Sequence, residues 1–151
     1  MAKPTEALFW SIALPGFGQL LNGKVIKGIV FILMETVINI QAHFNQVILF
    51  SFQGKIDKAV VQADYQWLMF YPCLYFFAMW DAFKDAGGGR RGFSYLPFVF
   101  SAYFVTVGIM FSTKMTIHGV LLGPMWLPML FTLPGLACGF LLKAMLNKRN
   151  D

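Results

Sequence analysis

Glu35 is the residue whose surroundings most strongly suggest chemistry. It interrupts the apolar run GIVFILMETVINI, and because an ionisable group at membrane depth is costly, such a group by default has a function or a specific partner. Asn39 and His43 follow at intervals of four residues, so a continuous helix would place all three on one face. This polar stripe predicts either a proton- or ion-responsive site along a small hydrophilic path, or hydrogen bonds that fix helix packing.

A second charged group consists of Asp81, Lys84 and Asp85 in WDAFKDAGG. Asp81 and Lys84 are one helical turn apart, so Asp81 can pair with Lys84, or it can reach Lys24 or Lys27 from a neighbouring loop. Acid–base catalysis by the two carboxylates would require a shared cavity. The alternative interpretation is that these are charges at a helix end in contact with water.

Motifs for catalysis and ligand binding are not found in the sequence. The chain has no nucleophile elbow, phosphate-binding loop or HExxH pattern, and its histidines have no metal-ligand spacing. We therefore expect no metal and no cofactor. The net charge of +5 comes from short basic groups between apolar segments, which is typical of topology determinants and not of a nucleic-acid-binding face.

Composition identifies the class of protein. The 151 residues are 58% hydrophobic and 13% charged, whereas a soluble domain is about a quarter charged. We expect a single all-α integral membrane domain, residues 1–151, with lipid as its solvent. About 20 helical residues cross a bilayer, and four segments reach that length: 25 to 41–52, 65–83, 94–112 and 123–145. The segment 41–64 within this plan is either an extension of the first span or an interfacial helix.

Basic residues orient the predicted bundle in the cytoplasmic membrane. Eight fall on one side and three, Lys55, Lys58 and Lys114, on the other, so the C-terminus is expected to be cytoplasmic. Ahead of the four spans, residues 7–21 form a short helix broken at Pro15, or alternatively a fifth span with Lys3 outside. The eight inner residues are Lys24, Lys27, Lys84, Arg90, Arg91, Lys143, Lys148 and Arg149.

The stretch LPGFGQLLNGKVIKG concentrates glycines and polar residues in an otherwise apolar chain. It predicts a turn on the cytoplasmic side that shapes the bundle, because irregular backbone is excluded from lipid-exposed positions. AGGGRRG, residues 86–92, is predicted to end the second span with a left-handed glycine. The residues assigned to the first turn are Pro15, Gly16, Gly18, Gln19, Asn22, Gly23, Lys27 and Gly28.

Small residues form two thin faces in the last two spans. Ser101, Gly108 and Ser112 align in one span, and Gly135 and Gly139 form a small-xxx-small pair in the other. Such faces predict close contact with another helix, in this chain or in a partner.

The motif PGFGQLLNGKVIKG, together with MWDAFKDA at 79–86, resembles the signature of small bacterial membrane proteins related to the two-transmembrane-helix domain. The resemblance covers roughly residues 7–86. The chain departs from the family pattern in the long 41–64 segment and in the two further spans within 93–146. The resemblance implies a membrane location and a compact helical hairpin, and it implies no defined activity.

Together these observations predict a non-enzymatic multi-pass membrane protein. It would act as an accessory or regulatory subunit, or as a homo-oligomer, through helix–helix association with another membrane protein or with itself. The alternative is a small channel or transporter that uses the Glu35, Asn39 and His43 stripe. A third possibility is a membrane enzyme that acts on lipid through Asp81 and Asp85.

Overall fold

The computed structural model describes residues 2–90 and 92–150, except the side chain of Asn150. Arg91, one of the basic residues used for orientation, lies outside this part of the chain. The predicted all-α class is confirmed, with one small β-hairpin added. In chain order the elements are α1 (Pro4–Ala13), α2 (Phe17–Leu21), α3 (Val25–Gln41), α4 (Phe44–Phe52), α5 (Ile56–Gln62), α6 (Tyr65–Leu68), α7 (Tyr71–Asp85), α8 (Leu96–Phe111), β1 (Thr116–Ile117), β2 (Val120–Leu121) and α9 (Gly123–Asn150).

Glycine ends several helices in the way the sequence predicts. After α7, Gly87 takes a left-handed conformation with φ 85°. Its N–H donates to the Lys84 carbonyl, and the Gly88 N–H donates to the Phe83 carbonyl, both at 2.9 Å. This pair of bonds satisfies carbonyls that the last helical turn leaves without donors. The same conformation ends α2 and α4, at Gly23 (φ 73°) and Gly54 (φ 72°).

The apolar helices differ in whether they are long enough to cross a membrane. Among the described residues, α9 alone meets that length and composition by itself, over Gly123–Arg149, and α3 with α4 meets it as a pair bent by 65°. α8 is apolar but only 16 residues long. Four full spans therefore stay a prediction. The predicted short N-terminal helix is present as α1 and α2, separated at residues 14–16.

The bend between α3 and α4 occurs at residues 42 and 43. α3 ends at Gln41, and His43 has a φ of 53°, which an L-residue adopts only at some cost. The predicted 41–64 segment is thus two helices, α4 and α5, of which α4 leaves the direction of α3. Trp126 at the start of α9 donates from Nε1 to the Ser51 carbonyl at 3.2 Å, which ties α4 to α9.

α8 and α9 form the closest helix pair, and small residues make this possible. A Cβ added to Gly135 would lie 2.7 Å from the Ser101 Cα, and one added to Gly108 would lie 2.8 Å from the Pro128 Cα. At Gly139 the added atom would lie 2.7 Å from the Pro97 nitrogen. The predicted close contact is confirmed, and both small-residue faces are used within the chain.

A two-residue turn joins α8 to α9 through the β-hairpin. Thr116 pairs with Leu121 and Ile117 with Val120, and the turn residues His118 and Gly119 have φ values of 51° and 81°. Two successive positive φ angles define the type I′ turn that two-residue hairpins favour.

We expect Gly139→Val to destabilise the fold by about 1–3 kcal/mol, because the added atoms meet backbone that cannot move aside. Thermal unfolding in a mild detergent measures the effect. Ala137→Val is the matched control, since Ala137 is exposed on the same helix. Equal unfolding temperatures for the two variants would contradict close packing of α9 on α8.

Candidate functional site

The turn between α2 and α3 is fixed to one face of α7 by buried polar side chains. Gln19, fully buried, donates from Nε2 to the Ala78 carbonyl at 2.8 Å and to the Asp81 Oδ2 at 3.1 Å. Asn22 donates from Nδ2 to the Ala82 carbonyl at 2.9 Å. We call Gln19, Asn22 and Lys27, with the α7 groups they contact, the polar clamp.

Lys27 completes the polar clamp from the first turn of α3. Its Nζ lies 2.8 Å from the Asp81 Oδ1 and 2.9 Å from the Asp85 Oδ2. Residues 78, 81, 82 and 85 recur at helical spacing, so all the acceptors lie on one stripe of α7. Of the alternatives left open by the sequence, the structure selects Lys27 as the partner of Asp81, while Lys84 is exposed.

Glycines in the same motif allow neighbouring helices to pack closely beside the polar clamp. Gly16 has a φ of 106°, and a Cβ there would lie 2.7 Å from the Ile32 Cγ1. A Cβ at Gly28 would lie 3.0 Å from the Gly16 carbonyl oxygen, and one at Gly18 would lie 2.7 Å from the Ala82 Cβ. These positions, together with fully buried Pro15, give α2 its place between α1, α3 and α7.

The chemistry available to the polar clamp is limited by its own contacts. Both carboxylates are engaged by the same ammonium group, and neither is among the described residues that line the large apolar cavity. The ion pairs lie at a partly exposed edge, where such pairs contribute about 0–1 kcal/mol. Removing the donor of a buried hydrogen bond costs more, about 1–3 kcal/mol. The arrangement therefore suits holding helices together.

Glu35 lies on the side of α3 that faces α7, and only 8% of its surface is exposed. Its carboxyl group is within hydrogen-bonding range of the Asn39 amide and the Tyr71 hydroxyl. Tyr71 stacks on Tyr75, with ring centroids 5.7 Å apart, and Tyr75 donates from its hydroxyl to the Ile12 carbonyl at 2.6 Å. Glu35 on α3 is thus followed by two stacked tyrosine rings on α7, the second of which is bonded to the end of α1.

The predicted stripe along the first span is only partly assembled. Glu35 and Asn39 come together, and the Asn39 Nδ2 also donates to the Asn45 Oδ1 at 3.3 Å. His43 lies beyond the end of α3 in the bend and is exposed. The structure therefore does not bring His43 to Glu35, because the helix that would align them stops before it.

A large apolar cavity is the main feature that sequence reasoning missed. Its volume is about 740 Å³, and it is lined by α1, α4, α6, α7, α8 and α9. Two of its lining residues, Leu68 and Ser101, are fully buried, whereas Met129 and Phe140 are exposed and form what we call its rim. The lining residues of α7, α8 and α9 recur at helical spacing, so in the sequence these positions are indistinguishable from an ordinary core face.

Within residues 2–90 and 92–150, no group of three or more histidine, cysteine, aspartate or glutamate side chains is placed to hold a metal ion.

Comparison with known proteins gives no match to a family model, to a curated protein or to a solved structure. The resemblance to proteins related to the two-transmembrane-helix domain stays a prediction that rests on the residues of the motif.

We expect Gln19→Leu to lower the free energy of unfolding by about 1–3 kcal/mol, because it removes the two hydrogen bonds by which the buried Gln19 amide holds α2 on α7. The change in unfolding temperature in detergent measures this loss. Gln46→Leu is the control, since Gln46 is exposed on α4. A Gln19 variant as stable as the Gln46 variant would rule out a structural role for the polar clamp.

Proposed function

We propose that this chain is a multi-pass protein of the cytoplasmic membrane that acts by association and not by catalysis. Its cytoplasmic end would carry the C-terminus and the polar clamp. Its partner would be another membrane protein or a second copy, as an accessory or regulatory subunit or a homo-oligomer. The exposure of α9 carries the proposal.

The apolar surface of α9 is left mostly uncovered by the rest of the chain. Only 11% of its most apolar 18-residue window is buried, whereas an apolar core helix of a soluble protein is covered on all sides. Over Gly123–Arg149 the helix is about 40 Å long, enough to cross about 30 Å of hydrocarbon. Leu133, Leu141 and Met145 are more than half exposed along it, which suits contact with lipid.

Contacts at the two ends of the helices support the proposed orientation. At one end Lys27 meets Asp81 and Asp85. At the other end Trp126 meets Ser51, near Lys55. The orientation itself follows from the count of basic residues in the sequence, with the more numerous group proposed to lie in the cytoplasm.

Association would have to use surfaces other than the small-residue faces. Those faces are filled by the contact of α8 with α9. Exposed apolar side chains on α3 offer a second surface, with Ile26 82% exposed and Ile40 66% exposed. Lipid or a partner helix would cover this face, since large exposed apolar patches mark such sites.

Transport through the Glu35 region is the alternative function. The buried carboxyl group favours it, but its position beside Asn39 and Tyr71 suits packing equally well. We expect Glu35→Gln to leave proton and cation flux in liposomes unchanged, because an amide keeps the size and the hydrogen-bonding capacity that a packing role requires. Glu35→Leu, which loses that capacity, should lower the unfolding temperature. A flux that the wild type carries and the Gln variant loses would favour transport over packing.

Labelling of single cysteines tests the location and orientation. With Cys73 and Cys138 replaced by serine, Gln53→Cys and Lys148→Cys introduce thiols at exposed positions on opposite sides of the proposed membrane. An impermeant maleimide added to intact bacteria should label position 53 and should reach position 148 only after the cells are opened. Labelling of both in intact cells, or release of the protein by carbonate, would contradict the proposal.

Association with a partner or a second copy is tested separately from the membrane location. Purification in a mild detergent, followed by light scattering, should give a mass above that of one chain plus its detergent, or a stoichiometric second protein. A monomer that forms no cross-links in native membranes would refute action by association while leaving the membrane location intact.

A further inference from the structure

The apolar cavity has the properties of a ligand site and not of a packing defect. Ligand sites have volumes of about 300–1,000 Å³ and apolar walls with a few placed polar groups, and this cavity of about 740 Å³ has both. Ser101 on its wall is fully buried, and its Oγ has no hydrogen-bond partner among the described residues. The cavity therefore offers a sheltered hydroxyl as well as an apolar lining.

The length of the cavity suits a single hydrocarbon chain as its occupant. On α9 the lining runs from Pro124 to Lys143, or nineteen residue steps of about 1.5 Å, which gives a length of about 28 Å. A helix with its side chains is about 10–12 Å wide and would need a much broader groove. An alkyl chain, whose carbons make contacts at about 3.5–4.0 Å, is narrow enough.

Charge identifies the headgroup. Lys143 is the single basic side chain among the described residues of the cavity wall, and it stands at the end of α9 that also carries Lys148 and Arg149. The opposite end, at Pro124, has no charge on the wall. A ligand with an acyl chain along the cavity and an anionic group beside Lys143 would match both the apolar lining and the single cation.

We infer that this cavity binds an anionic acyl lipid, with one chain between α7, α8 and α9 and the headgroup at Lys143. The inference rests on the proposed membrane location and names a partner for it. The rim at Met129 and Phe140 is open to the side, so a lipid can enter from the bilayer without the helices separating.

Native mass spectrometry of protein purified in a non-ionic detergent tests this inference. The probes are dioleoylphosphatidylglycerol and dioleoylphosphatidylcholine, added in equal amounts, and the wild type should retain the anionic lipid preferentially. Lys143→Gln should reduce that preference about fivefold, the contribution of one lysine near a charged headgroup. Lys148→Gln, which alters an exposed lysine away from the cavity, should change it little. Equal losses in both variants would overturn the headgroup assignment.

A second pair of variants tests the acyl chain separately. Leu136→Trp places bulk in the cavity and should lower retention of both lipids, whereas Leu133→Trp adds the same bulk on the exposed face and should not. If Leu136→Trp retains lipid like the wild type, or if it splits a dimer without affecting lipid, the inference is wrong. Cysteine labelling at positions 53 and 148 separates this failure from failure of the proposed membrane location.

Discussion

The hydrogen bonds between the α2–α3 turn and α7 are the constraint on which the arrangement of the other helices depends. Gln19 and Asn22 place their amide donors against main-chain carbonyls of α7 in a buried position. A buried side-chain amide without a hydrogen-bond partner is costly, so this register of α2 against α7, which gives both amides an acceptor, is strongly preferred to its neighbours. α1 and α3 are attached to α2 by short turns, and α7 in turn packs on α8. One set of bonds thus relates the first third of the chain to the remainder.

Much of this region could be predicted from the sequence, and the part that could not has a clear physical reason. The glycines at 16, 18 and 28 indicated a turn, and the glycines at 86–92 indicated a helix end, because both reflect local conformation. That Asp81 pairs with Lys27, and not with Lys24 or Lys84, depends on how α3 and α7 are oriented. Lys27 and Asp81 are 54 residues apart in the chain. Spacing along one helix cannot supply that information.

The same distinction explains the bend and the cavity. His43 takes a left-handed conformation with no glycine to announce it, so the predicted stripe extended past the true end of α3. The cavity is lined by residues that recur as they would on any core-facing helix, and only the assembled helices reveal that their stripes do not meet. Conversely, the faces of α8 and α9 were recognisable because small residues recur at helical spacing on both helices, which is typical of close helix contact.

The 65° bend between α3 and α4 has a consequence for how this unit matches a membrane. A straight helix from residue 25 to residue 52 would be about 42 Å long, whereas a hydrocarbon core is about 30 Å thick. With the bend, α4 adds only about 6 Å along the axis of α3, whose own length is about 25 Å. The projected length becomes about 31 Å, so a change in direction at one residue brings an over-long apolar segment close to the thickness of a bilayer.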